Sequence, residues 1–243
     1  HKSQNRHARL VLNVAGLSPQ LLGQSAFYPV LGALIGRMAG ETVCAVTGMP
    51  NGATDDELKS LCAGAASTGA VALVHIVGVT PEAPDLETAL GGLPPEQTVH
   101  LTTEMVIKAR NRLSLAKAGP IDSVALGSPH FSDGECRALL RLADGQPFKV
   151  PVYICLGRHT LAELQADGAD IALSDLGVEF VVDTCVVVTP ILPAAPGVMM
   201  TNSAKFAHYA TGNTGHLPVF GTLADCVASA QAGRVIWDHG VWS

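Results

Sequence analysis

This sequence is poor in charge and in aromatic rings. Asp, Glu, Lys and Arg make up 15% of its 243 residues and the aromatics 5%. An average soluble protein carries about 25% charged residues. With 48% hydrophobic residues, either the surface is small relative to the core or a partner covers some of it. A partner or a missing segment is the expectation. The 15 Lys and Arg residues form no run or stripe, and the net charge is −6. That excludes the basic footprint of a nucleic-acid binder. No apolar run reaches the roughly 18 residues that a membrane span needs. The longest, such as AVALVHIVGV (70–79), contain His or Gly and read as core strands.

No CxxC pair occurs among the six cysteines (Cys44, Cys62, Cys136, Cys155, Cys185 and Cys226), and HKSQNRHARL at the start is no secretory signal. This excludes a disulfide scaffold and points to a reducing cytoplasm with mostly buried free thiols. No GxGxxG follows a strand, and there is no Walker loop, no GxSxG elbow and no HxH or HxxxH pair for zinc. The chain opens on His1, not Met, and is expected to be a trimmed protein or a piece of a longer one.

What is present is an alternation of short β-branched runs with helical stretches. The strands are expected at 42–48, 70–79, 122–128, 150–156, 178–188, 197–202 and 218–220. Helices are expected at 54–68, 103–116, 132–144 and 222–233. Thr54 with Glu57, and Ser132 with Glu135, form capping boxes; Thr222 caps the last helix and Gly233 ends it. Leu58, Leu61, Cys62 and Ala65 share a helical period, which would turn Cys62 to the core. This pattern predicts an α/β fold of parallel sheets with helices on both faces. A boundary near LAKAGPID (115–122) would give two α/β units, 1–117 and 118–243. The Pro- and Gly-rich stretch 79–102 reads as a long connection, either a lid or a surface loop.

Ligands in such sheets bind outside the carboxyl ends of the strands. Three predicted strand ends carry unusual polarity. ALGSPHFSDGE places Ser128 and His130 between a strand and a capped helix. VVDTCVVV sets Asp183 and Cys185 in an apolar run. A carboxylate there costs several kcal/mol unless paired. MMTNSAKFAHY carries Thr201, Asn202, Ser203, Lys205, His208 and Tyr209. Each has an ordinary alternative: a loop hydroxyl, a helix cap, a buried thiol, a solvated lysine. From the residues alone the reading is an α/β enzyme with a pocket at 127–132 and 199–212.

FYPVLGALIG, ALVHIVGVTPEA, ALGSPHFS, VVDTCVVVTP, MMTNSAKFAHY and FGTLADCVASA, in this order, resemble the aconitase X family over roughly residues 5–233. The resemblance implies aconitase-like α/β/α domains and a hydro-lyase of the aconitase superfamily. It implies an iron–sulfur cluster (2Fe–2S, 3Fe–4S or 4Fe–4S) or an iron centre, with Cys185 and Cys226 as two ligands. A third ligand would come from an upstream half that this chain lacks, as it lacks the family's small swivelling domain. Ser203 would be the base, with Lys205 or His130 holding a carboxylate or protonating the leaving oxygen. Ser128, Thr201, Asn202 and Tyr209 would line the substrate site. Known family activities are dehydration of cis-3-hydroxy-L-proline in bacteria and of phosphomevalonate in archaea. Archaeal relatives tend to carry Cys where this chain has Ser128. That and the scarcity of basic residues favour cis-3-hydroxy-L-proline, because a phosphate calls for Arg. The alternatives are a metal-free α/β enzyme using Ser203 and Lys205, and a non-catalytic binding module.

Overall fold

The computed structural model describes residues 3–242. The chain divides into two compact units. One runs to Arg110 and takes in the tail from His239; the other is Asn111–Asp238. The division precedes the 115–122 stretch.

The first unit holds four parallel strands, β1 (Leu10–Asn13), β2 (Cys44–Thr47), β3 (Val74–Ile76) and β4 (Gln97–His100), in the order β3-β2-β1-β4. Its helices are α1 (Pro19–Leu22), α2 (Phe27–Ala39), α3 (Asp55–Thr68), α4 (Leu86–Leu90) and α5 (Thr103–Asn111). The Thr54–Glu57 capping box starts α3. Gly32 of α2 lies so close to the Leu61 carbonyl of α3 that any side chain there would collide. The helical period misleads at one position. Leu61 and Ala65 are buried but Cys62 is exposed, because the buried stripe of α3 is narrow and made by small residues against α2. The stretch 79–102 is no bare connection, since it contains α4 and β4.

The second unit carries β5 (Ser123–Phe131), β6 (Val152–Leu156), β7 (Val178–Val182), β8 (Val198–Thr201) and β9 (Leu217–Phe220). They form one parallel sheet in the order β7-β6-β5-β8-β9. Its helices are α6 (Asp133–Ala143), α7 (Arg158–Gln165), α8 (Ala169–Asp175), α9 (Ala204–Thr214) and α10 (Leu223–Ala232). Ser132–Glu135 and Thr222–Asp225 capping boxes start α6 and α10. Strand side chains alternate between faces, so the sheet has two cores. Val124, Leu126, Ile154 and Met200 pack with α6, α7, α8 and α10. Ala125, Tyr153, Cys155 and Met199 pack with Phe206 and Ala210 of α9 and with Val186 and Val187. The segment 183–197, from β7 across to β8, therefore contributes to the α9 face. Right-handed crossovers require this split: going outward from β5 toward β7 puts helices on one face, and going outward from β8 to β9 puts α9 on the other.

The sheet reverses its direction of winding between β5 and β8. Their carboxyl ends flank a crevice of the kind in which open α/β sheets bind ligands. The expected strand 178–188 stops at Val182, because Asp183 adopts φ 58° and turns the chain out of the sheet. β5 is bulged against β6 between Leu126 and Phe131, which takes 127–130 out of the regular ladder. Gly127 sits there at φ 85°, where a Cβ would strike the Cys155 carbonyl oxygen. Gly127→Ala is expected to cost about 2 kcal/mol or more in urea unfolding. An unchanged midpoint would show that the turn relaxes freely.

Candidate functional site

The carboxyl ends of β5, β7 and β8 lie along one edge of the parallel sheet, and their polar residues divide into those used by the fold and those left over. Ser203 is the N-cap of α9: its hydroxyl accepts the Phe206 N–H at 3.1 Å and donates to the Ser128 carbonyl. That bond ties the β8 turn to the β5 turn. With both functions engaged and 6% exposure, the Ser203 hydroxyl holds the two turns at a fixed spacing. Ser203→Ala is expected to cost about 1–2 kcal/mol by differential scanning calorimetry; an unshifted transition would mean the cap is dispensable. Thr201 is fully buried, and its hydroxyl accepts the Ser203 N–H at 3.1 Å. It supports the turn. Ser128 is 5% exposed and contributes the carbonyl that holds Ser203. Tyr209 packs its ring against the α9-face core and edge-on to His208, with centroids 4.9 Å apart.

Asn202 and Lys205 remain. Both are half-buried in the turn between β8 and α9. Among the described residues neither side chain has a hydrogen-bond or ion-pair partner. Lys205 lies in the first turn of α9, which contains no acidic residue. A cation is disfavoured at that positive helix end. The first-turn N–H groups of Ala204 and Lys205 lack intrahelical acceptors by construction. Lysine, free amides and helix dipole together make a place for an anion.

Across the crevice, His130 at the end of β5 is exposed, and its Nε2 lies 3.2 Å from the Thr184 carbonyl. A carbonyl only accepts, so Nε2 carries the hydrogen. Asp183, in the same turn as Thr184, accepts the Arg158 N–H at 3.0 Å and pairs with its guanidinium at 2.5 Å. The Arg158 backbone N–H, then its side chain, hold this carboxyl below the usual carboxylate range. The pair satisfies the carboxylate that the sequence left without a partner and shapes the turn that holds His130.

The two thiols expected to bind a cluster do not meet. Cys185 is half-buried beside the α9-face core. Cys226 is fully buried in the core on the opposite face, packed in the cluster that includes Val124, Leu139, Met200 and Val219. Burial pushes its thiol well above the ordinary range, so it resists becoming the thiolate a metal needs. The start of α10 lies on the wrong side of the sheet, which spacing along the chain does not reveal. Cys155 and Cys44 are likewise buried, their thiols pushed up to about 12 by desolvation. Among the described residues no three or more His, Cys, Asp or Glu side chains gather as metal ligands. The thiols present thus do not fit a cluster held between Cys185 and Cys226.

Comparison with known proteins gives this geometry its context. Residues 8–111 match the aconitase X second domain and residues 121–232 the aconitase X third domain. Cis-3-hydroxy-L-proline dehydratase of Pseudomonas aeruginosa is 37% identical over 239 residues, covering 96% of this chain and 41% of that protein. The enzyme of the same name from Hypocrea jecorina is also 37% identical, covering 96% and 40%. The phosphomevalonate dehydratase large subunit of Methanothermobacter thermautotrophicus is 32% identical, covering 88% of this chain and 51% of its own length. The holo-form crystal structure of aconitase X from Thermococcus kodakaraensis superposes with a TM-score of 0.80 at 26% identity. It covers 95% of this chain and 57% of that one. The chain thus spans about two fifths of the length of the hydroxyproline dehydratases it matches.

Proposed function

This chain belongs to the aconitase X family, and from that membership we propose that it is the substrate-carboxylate-binding part of a hydro-lyase acting on cis-3-hydroxy-L-proline. The observation that carries the reading is Lys205 at the amino end of α9, half-buried and unpaired among the described residues at the crevice between β5 and β8. One lysine with helix amides suits a carboxylate. A phosphate calls for bidentate Arg. The arginines near this edge are already used: Arg158 on Asp183, and Arg137 on Asp133 and Asp167. The relatives named as hydroxyproline dehydratases are also more similar to this chain than the phosphomevalonate dehydratase subunits are.

Loss of water breaks the C2–H and C3–O bonds of the substrate and forms C2=C3. In the cis isomer the carboxylate and hydroxyl share one ring face, so the C2 hydrogen lies on the other. Base and leaving-group partner therefore act from opposite faces. Lys205 and the first-turn amides hold the carboxylate and stabilise the charge it gains as C2 is deprotonated. His130, anchored through Nε2 on the Thr184 carbonyl, is the side chain across the crevice that takes the C2 proton. Asn202 hydrogen-bonds the substrate, and Ser203 fixes the spacing of the β5 and β8 turns. The family resemblance adds an iron or iron–sulfur centre. Cys185, half-buried at this edge, would be this chain's ligand to such a centre, and its other ligands would come from the upstream half or the swivelling domain. No step above depends on that centre.

The test is an anaerobic incubation of the complete enzyme with cis-3-hydroxy-L-proline, trans-3-hydroxy-L-proline and phosphomevalonate, each followed by proton NMR. Water loss from the cis isomer is expected. Turnover of phosphomevalonate alone would overturn the substrate assignment, and turnover of none would overturn the hydro-lyase reading.

A further inference from the structure

Beyond Val182 the chain leaves the sheet and packs back against β6 on the α9 face. The Asp183 N–H still continues the β6–β7 ladder, donating to the Leu156 carbonyl at 2.9 Å. With φ 58°, Asp183 then turns the chain. Three residues on, the Val186 N–H donates to the sulfur of Cys155, whose side chain leaves β6 on the α9 face. Val188 and Thr189 N–H groups both donate to the Cys185 carbonyl at 3.1 Å, so residues 185–189 form one tight turn with Cys185 at its head.

Two cysteines far apart in the sequence are thereby neighbours. The nitrogen that touches the Cys155 sulfur belongs to the peptide unit that starts at the Cys185 Cα. A disulfide needs Cα atoms about 4.4–6.8 Å apart, and this hydrogen bond brings the two into that reach. Both thiols belong to one apolar cluster with Tyr153, Val187 and Phe206. The two sulfurs also sense each other: burial first, and then a charge on Cys185, push the Cys155 thiol up. Access to the pair is unequal. Cys185 is half-buried and meets solvent, whereas Cys155 is fully buried. One thiol that an oxidant can reach, beside one that it cannot, is the arrangement of a peroxide-sensitive cysteine with its resolving partner. Cys136 and Cys226 share the other core, but both are fully buried and an oxidant reaches neither.

We propose that Cys185 and Cys155 form a reversible disulfide when hydrogen peroxide meets the metal-free protein. Peroxide takes two electrons from the Cys185 sulfur, which becomes a sulfenic acid, and one water leaves. The Cys155 sulfur then attacks the Cys185 sulfur. The S–O bond breaks, and its oxygen departs as a second water carrying the Cys155 proton. Two thiols and one peroxide thus give one disulfide and two waters, and a dithiol reductant returns both thiols. The disulfide fastens the turn of Cys185 to β6 and withdraws that thiol from metal. It also spares Cys185 from irreversible oxidation to the sulfinic acid. The disulfide does not depend on the hydro-lyase reading; only its effect on iron rests on the ligand role proposed for Cys185.

The test uses the complete enzyme, stripped of iron by a chelator under anaerobic, reducing conditions. After a small excess of hydrogen peroxide, free thiols are blocked with N-ethylmaleimide, and the protein is digested without reductant and read by mass spectrometry. A linked pair of peptides carrying Cys155 and Cys185 is expected. Dithiothreitol before blocking should abolish it, and Cys226→Ala should leave it unchanged. In Cys155→Ala, Cys185 is expected to reach the sulfinic acid, which dithiothreitol does not restore. Cys185 recovered as a blocked thiol in the unaltered protein, or joined to a cysteine other than Cys155, would overturn the proposal. So would a lasting Cys185 sulfenic acid beside a blocked Cys155. Iron affinity, measured on the same samples, is expected to fall about tenfold or more in the linked form and to return with dithiothreitol. A linked pair with undiminished iron affinity would overturn the ligand role of Cys185 and leave the disulfide standing.

Discussion

Replacing Lys205 with Met in the complete enzyme is expected to lower kcat/KM for cis-3-hydroxy-L-proline by about 100-fold. A hydrogen bond to a charged group contributes about 1.5–3 kcal/mol, and about 2.7 kcal/mol corresponds to that factor. Met keeps the length of the side chain and removes only the ammonium. The loss should divide between KM, because the ground-state carboxylate is held less well, and kcat, because charge builds on that carboxylate as the C2 proton leaves. Lys205→Arg keeps the charge and should recover part of the KM effect. Stability should hardly move, since among the described residues the side chain supports nothing in the fold. A kcat/KM within threefold of the parent in Lys205→Met would remove the carboxylate from this helix end.

The cysteines give the second large effect. Cys185→Ala in the complete, anaerobically reconstituted enzyme is expected to weaken iron binding tenfold or more, because even the partners of metal ligands matter to that extent. Cys226→Ala is expected to leave iron content unchanged and to lower stability by about 1–2 kcal/mol through lost core contacts. Cys226→Ser should cost more, by burying an unpartnered hydroxyl among aliphatic side chains. Metal analysis and urea unfolding of the three variants decide it. Iron lost equally from Cys226→Ala and Cys185→Ala would contradict the separation of the two thiols by the sheet.

How far the sequence revealed this depends on the residue. The strand–helix alternation and the Thr54, Ser132 and Thr222 caps were legible because capping is local chemistry, fixed within four residues. β1 was missed because four residues of LVLN carry too little periodicity. α2 was missed because Pro29, Gly32 and Gly36 look like breakers, yet Gly32 and Gly36 are the surface that lets α3 approach. The 178–188 run read as one strand because only the left-handed backbone at Asp183 ends it. At the site, the sequence located the polar turns but not the division of labour within them. That Ser203 is held by Ser128 is a contact 75 residues apart. Cys226 was misplaced for a related reason: its helix, α10, follows the outermost strand β9 and packs back on the face opposite to Cys185. Which face a crossover occupies depends on strand order, and strand order is not written locally.

The most direct test of the account is a crystal structure of the complete enzyme with cis-3-hydroxy-L-proline, or a non-reacting analogue with the same carboxylate, bound under anaerobic conditions. The account predicts the carboxylate between β5 and β8, about 2.7–2.9 Å from the Lys205 ammonium and in contact with the first-turn amides of α9. A carboxylate bound elsewhere, with Lys205 left in solvent, would contradict it.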